Sequence, residues 1–224
     1  MTKLPFVSCL CPTYCRPNLL RKSIAMFEAQ DYPADRRELV VYDDGPVSSD
    51  QPPDYVKGLQ YHRINKRFES LPEKFNAIVS WSIGSVLCVW EDDDEYRPWH
   101  ISAHVKALEF GSFSKPSRVL SDYGESDGNL HEENGRGRFH ASIAFTRELF
   151  DKIGGWPITK RADFDQMMIS RLMEVGNITD PCDYFPLSYV FRWHTNHYHG
   201  QNTMKSPSDE TWYDRIPEII QMEH

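Results

Sequence analysis

The segment Val86–Pro98 reads VLCVWEDDDEYRP. Its first five residues, Val86–Trp90, are all apolar, with no polar–apolar alternation, so both faces of the run must be covered. A strand of that kind belongs in the middle of a parallel sheet with helices on either side. The next five residues, Glu91 to Glu95, are all acidic. Adjacent carboxylates repel one another, so this charge must stand at the strand's tip and requires a counter-charge.

The same alternation recurs along the chain. Phe6–Cys11 reads as a strand ending in PTYCRPN. Pro17 then opens a helix with Leu20, Ile24 and Phe27 at helical spacing. Glu38–Tyr42 is a second strand, ending in DDGP. Val47–Gln60 is an irregular loop, and a short strand follows near Tyr61–Ile64. Ser70 and Glu73 have capping-box spacing and start a helix carrying Phe75, Ile78 and Val79. After the acidic run, Pro98–Phe110 is a helix. Strand and helix thus alternate, which predicts a mostly parallel wound α/β sheet flanked by helices.

Beyond this, Arg118–Leu120 predicts a strand, Ser121–Arg138 a long polar loop or hairpin, and His140–Phe145 another strand. Arg147–Ile153 is a short helix stopped by Gly154 and Gly155. Asp163–Val175 is a helix, and Asp209–Gln221 is predicted to be a last one. A length of 224 residues suits a single domain.

Three strands end in chemistry-bearing residues: Thr13 and Tyr14, then Asp43 and Asp44, then the acidic run. In open α/β sheets, ligands bind beyond such tips. A hard divalent cation, shared with substrate phosphates, would neutralise the run. The other reading is a solvated acidic turn at the N-terminus of the Pro98 helix. A net charge of -8 gives no general nucleic-acid footprint, which leaves only a local basic patch for that partner. The N-terminus carries no signal-peptide pattern. The longest uncharged stretch, Phe75–Trp90, is too short and polar to span a membrane, so a cytoplasmic chain is expected. The five cysteines, Cys9, Cys11, Cys15, Cys88 and Cys182, are expected to be small core hydrophobes.

The segments CPTYCRPNLLRKSI, LVVYDDGP, VLCVWEDDDEYRPWHI, FTRELFDKIGGW, ADFDQMM and FRWHTNH resemble, in order and spacing, those of family 2 glycosyltransferases. The resemblance runs from about Phe6 to about His197. It implies a GT-A fold, with nucleotide-sugar binding in residues 1–110 and acceptor and catalytic functions in 111–224. Pro12, Thr13 and Tyr14 resemble the first nucleotide-binding loop, and Asp43 with Asp44 the pair that contacts base and ribose. Asp92 would face the ribose and Asp93 would hold a manganese or magnesium ion, with Asp94 competing for that role. Asp163 matches the catalytic base, although Ala162 replaces the acidic residue that commonly precedes it. His194 matches a histidine near the metal and diphosphate. Arg16, Arg67 and Lys74 are candidate cations for the diphosphate.

The resemblance implies an inverting, metal-dependent transfer from a nucleoside-diphosphate sugar, most often a UDP-sugar, to an acceptor hydroxyl. A nucleotidyltransferase is a rival, but CPTYCRPN lacks the glycines of a phosphate loop. A non-catalytic nucleotide-sugar-binding domain is the other rival. The acceptor class stays open: polysaccharide, protein, small molecule or modified nucleic acid.

Overall fold

The structure, a computed structural model, describes residues 4–45, 56–122 and 129–192. His194 and the helix expected over Asp209–Gln221 lie outside these residues.

The first half winds as the sequence predicts. Strand β1 (Val7–Thr13) leads into helix α1 (Pro17–Glu28), then β2 (Arg37–Asp43), β3 (Leu59–Arg63), α2 (Leu71–Trp81) and β4 (Val86–Val89). β1 is buried along its whole length and extends two residues beyond the expected Cys11, so Pro12 and Thr13 are part of the strand. Helix α2 starts as its spacing requires. The Ser70 hydroxyl accepts from the Glu73 amide at 3.4 Å, and the Glu73 carboxylate accepts from the Glu69 amide at 3.1 Å.

A two-residue strand β5 (Glu95–Tyr96) follows, then helix α3 (His100–Leu108), shorter at both ends than the expected Pro98–Phe110. The rest of the chain is built from β6 (Phe113–Ser114), β7 (Arg118–Ser121), β8 (His131–Asn134), β9 (Ala144–Thr146), α4 (Arg147–Ile153), α5 (Phe164–Val175), β10 (Ile178–Thr179) and β11 (Tyr189–Phe191). The strand expected over His140–Phe145 is only partly there. His140–Ser142 forms a single 3-10 turn, entered through Phe139 in the left-handed region at φ 58°, and the strand starts at Ala144.

Seven strands form the main sheet in the order β10-β6-β9-β4-β1-β2-β3. Every pairing is parallel except those of β9, which runs antiparallel to β4 and β6. A second sheet has the order β5-β11-β7-β8. β7 and β8 form the hairpin that was one of the two readings of Ser121–Arg138.

Trp90, fully buried, marks where β4 leaves the core. It stacks on Tyr96 at 3.9 Å between ring centroids and donates its indole N–H to Ser23 at 2.9 Å. Cys9, Cys11 and Cys88 are buried as expected, but Cys182 is only half-buried, in the single turn Pro181–Asp183, and Cys15 is exposed because it lies beyond the tip of β1.

Candidate active site

The parallel register aligns the tips: Pro12 pairs with Tyr42 and Thr13 with Asp43. A continuous line of polar contacts runs across them. The Asp44 carboxylate takes a hydrogen bond from the Phe68 amide and an ion pair from Lys74. Lys74 also donates to the Thr13 carbonyl at 2.6 Å. The Thr13 hydroxyl donates to Asp92 at 2.6 Å. Nη1 of Arg16 then bridges Asp92 at 3.0 Å and Asp93 at 2.7 Å.

Lys74, a candidate cation for the diphosphate, is already committed within the protein. It is buried, α2 delivers it beneath the tips, and its charge is engaged by Asp44. Burial lowers its pKa, and Asp44 opposes that. Asp43 accepts from Tyr61 at 2.7 Å and from the Gly45 amide at 3.0 Å, and pairs with Arg63. Arg67 lies over the Tyr14 ring at 4.4 Å.

The acidic run is divided among separate partners. Asp94, buried, accepts from the Tyr189 hydroxyl at 2.6 Å and the Arg192 amide at 3.1 Å. Glu95 is paired with the Arg192 guanidinium at 2.7 Å. Glu91 accepts from Nδ1 of His140 at 3.0 Å. The Trp156 indole N–H donates to Nε2 of the same ring at 2.9 Å, which fixes the proton on Nδ1 and makes His140 a neutral donor to Glu91. Burial holds His140 down at about 4, with Asp165 opposing, which agrees with that state.

Oxygens of Glu91, Asp93 and Asp94 lie within 4.8 Å of one another. Their crowding shows in their acidity. Burial pushes Glu91 up to about 8, and the charges of Asp93, Asp92 and Asp165 add to this while Arg16 opposes it. Solvent reaches 29% of the Glu91 side chain and moderates the shift. Asp94 is raised well above the usual carboxylate range, first by burial and then by Asp93 and Glu91. Three oxygen donors of this kind suit a hard divalent ion. Asp92, tied to Thr13 and Arg16, stands outside the trio.

Asp163 stands apart from that trio. Its carboxylate is 46% exposed and paired with Arg161 at 2.6 Å; the hydrogen bond from Arg161 lowers its pKa. It occupies the N-cap position of α5 but makes no side-chain cap hydrogen bond, so capping does not explain it. Asp165, in the first turn of α5, exerts its charge on both Glu91 and His140.

Glu91, His140, Tyr189 and Arg192 were missed as individual site residues. Glu91 stood within the quoted acidic run and Arg192 within FRWHTNH, so for those two a signal existed. His140 and Tyr189 carried none.

A wound, mostly parallel sheet whose strand tips converge on a buried acidic run has the architecture of the GT-A fold. The chain belongs to glycosyl transferase family 2, whose profile matches residues 8–168. Among solved structures, it is similar to S. aureus TarS 1-349 in complex with UDP-GlcNAc, with 14% identity and a TM-score of 0.69, over 89% of this chain and 62% of that one. It is also similar to the mannosyltransferase PcManGT from Pyrobaculum calidifontis in complex with GDP-Man and Mn2+, with 20% identity and a TM-score of 0.64, over 89% and 59%. The S. aureus TarS structure without a residue range gives a TM-score of 0.66 at 15% identity, with 84% of this chain and 37% of that one covered. The chain thus spans less than two thirds of the length of the chain in each of these three structures. No curated protein matches it by sequence.

Proposed function

We propose that this chain binds a nucleoside-diphosphate sugar across the tips of β1, β2 and β4 and transfers the sugar to an acceptor hydroxyl with inversion. The observation that carries this reading is the convergence of Glu91, Asp93 and Asp94 beside the Thr13–Asp92–Arg16 contacts. Pro12, Thr13, Tyr14, Asp43 and Asp44 would seat the nucleoside, with uridine proposed as the base. Solved relatives of the fold hold UDP-GlcNAc and GDP-Man.

The trio fits a magnesium- or manganese-type ion, because all three donors are carboxylates and no softer ligand takes part. Such an ion, when bound, would neutralise charge developing on the departing diphosphate. The chain's own groups do the rest. Arg16 and Arg67 present cationic surface at the same rim. Asp163, with its pKa lowered by Arg161, is ionised at neutral pH and would take the acceptor's proton. His194 would stand near the diphosphate.

One observation favours a second reading of the base. The charge of Asp165 acts on the Glu91–His140 pair, whereas Asp163 is turned to Arg161. The single substitutions Asp163→Asn and Asp165→Asn separate the two. The base variant should lose about 10²–10⁴ in transfer while donor affinity stays within a few-fold. The readout is release of nucleoside diphosphate in a screen of donors and acceptors. Release of pyrophosphate from a nucleoside triphosphate offered together with a sugar 1-phosphate would make the chain a nucleotidyltransferase, and tight donor binding without turnover a non-catalytic binder. The acceptor is proposed to meet residues 111–224, which supply β7, β8 and β11 of the second sheet.

A further inference from the structure

We propose that Arg16 is an internal counter-cation, holding the place of the divalent ion at Asp93 until a nucleoside diphosphate draws it away. The inference rests on the metal reading of Glu91, Asp93 and Asp94 given above.

Arg16 meets both Asp92 and Asp93 through a single nitrogen, Nη1. Among the described residues, Nε and Nη2 make no hydrogen bond, and the side chain stays 22% exposed. The guanidinium is therefore half engaged: one corner neutralises two carboxylates and the rest of the fork faces outward. A planar fork of this kind matches phosphate oxygens. Asp92 is 3% exposed and also holds the Thr13 hydroxyl, so it is fixed in place. Asp93 is the more open of the two, at 15%, and it is the one that also belongs to the ion trio.

An ion bound to Asp93 would sit about 2–2.5 Å from one of its oxygens. Nη1 is 2.7 Å from that carboxylate. Two cations would then share one carboxylate within about 5 Å of each other and repel. Arg16 thus weakens ion binding in the nucleotide-free protein. An arriving diphosphate relieves the conflict by offering the fork new acceptors, after which Asp93 can turn to the ion. Ion and nucleotide affinities are therefore coupled through Arg16, and the coupling is reciprocal.

The test compares Arg16→Gln with the wild type. Mn2+ binding is titrated by calorimetry in the absence of nucleotide and again with UDP. Without nucleotide, Arg16→Gln should bind Mn2+ at least about tenfold more tightly than the wild type, because the competing charge is gone. The gain in Mn2+ affinity on adding UDP should shrink in the variant. If Arg16 serves only to order the acidic tip, the sign reverses: the variant binds Mn2+ equally or more weakly, and the proposal is overturned. Failure of both proteins to bind Mn2+ with or without UDP overturns the metal reading, and this inference with it. Crystals of the wild-type protein with Mn2+ and UDP give an answer that does not depend on the variant's folding. Arg16 displaced from Asp93 onto the diphosphate supports the exchange; Arg16 still on Asp93 beside the bound ion overturns it.

Discussion

His140 and Glu91 are 49 residues apart and share one hydrogen bond, yet that bond fixes how the acidic tip presents itself. His140 receives the Trp156 N–H on one side and donates to Glu91 on the other, so the ring is locked in one tautomer. Groups that orient a metal-binding carboxylate typically contribute 10–100-fold to metal affinity. His140→Phe keeps the ring's packing against Phe75 and Trp156 and removes both hydrogen bonds. Calorimetry should show Mn2+ affinity in the presence of UDP falling by about tenfold. Asp93→Asn should abolish most of the difference between UDP binding with Mn2+ and UDP binding in chelator. A sequence reader could see the carboxylates, because five in a row have no structural use inside a core. The reader could not see His140, because its site character comes from Glu91 and Trp156, which only the fold brings to it. Lys74 shows the converse: on paper it is a free cation, and burial against Asp44 becomes visible only once α2 is docked.

At the scale of elements, the legible parts were those with a strong local cause. β1, β2 and β4 announce themselves through the apolar residues at their centres, as in Leu39–Val41 and Val86–Val89, and α2 announces itself through Ser70 and Glu73. Ser70→Ala should lower stability by about 1 kcal/mol in urea unfolding. In the second sheet the β7 strand and its hairpin were legible, but β5 with two residues and β11 with three are too short for any periodicity to register. The Gly154–Gly155 turn was legible as a stop, but its two glycines are not equivalent. Both have positive φ, 75° and 77°. A Cβ on Gly154 meets nothing within 4 Å, whereas one on Gly155 would come within 2.7 Å of Asn76 Oδ1. That Asn76 side chain clamps the backbone N–H and C=O of Trp156 at 2.9 and 3.0 Å. Gly154→Ala should therefore cost about 1–2 kcal/mol, the usual left-handed penalty. Gly155→Ala should cost more, and it should also weaken Mn2+ binding, because Trp156 supports His140.

For the molecule as a whole, part of its acid sensitivity should come from a pair of buried histidines on α3. His100 and His104 are buried on α3 with their rings 4.5 Å apart, and each bonds a serine hydroxyl through Nδ1. Among the described residues, their Nε2 atoms have no hydrogen-bond partner. Burial depresses both pKa values, that of His104 to about 3 with the charge of Lys115 adding to the effect. An unfolded histidine protonates near 6.5, so between there and the folded values the unfolded chain binds more protons. Stability from this pair is full above about pH 6.5 and declines as the pH falls toward the folded values, by up to about 1.4 kcal/mol per pH unit for each ring. The raised carboxyls Glu91 and Asp94 act in the opposite sense, so the comparison must be differential. Urea unfolding between about pH 7 and about pH 5 should show a shallower acid loss for His104→Asn than for the wild type.

The line of contacts from Asp44 through Lys74, Thr13 and Asp92 to Arg16 and Asp93 has a bearing on how such a scaffold can be altered. No member of that line can be replaced without disturbing the next. A change at Asp44, the proposed seat of the base, releases Lys74, loosens Thr13 and so reaches the carboxylates at the other end. On the proposed reading, donor preference is inherited as a block. A designer, or natural drift, would have to retune both ends together, and libraries that vary one end alone would return mostly inactive proteins.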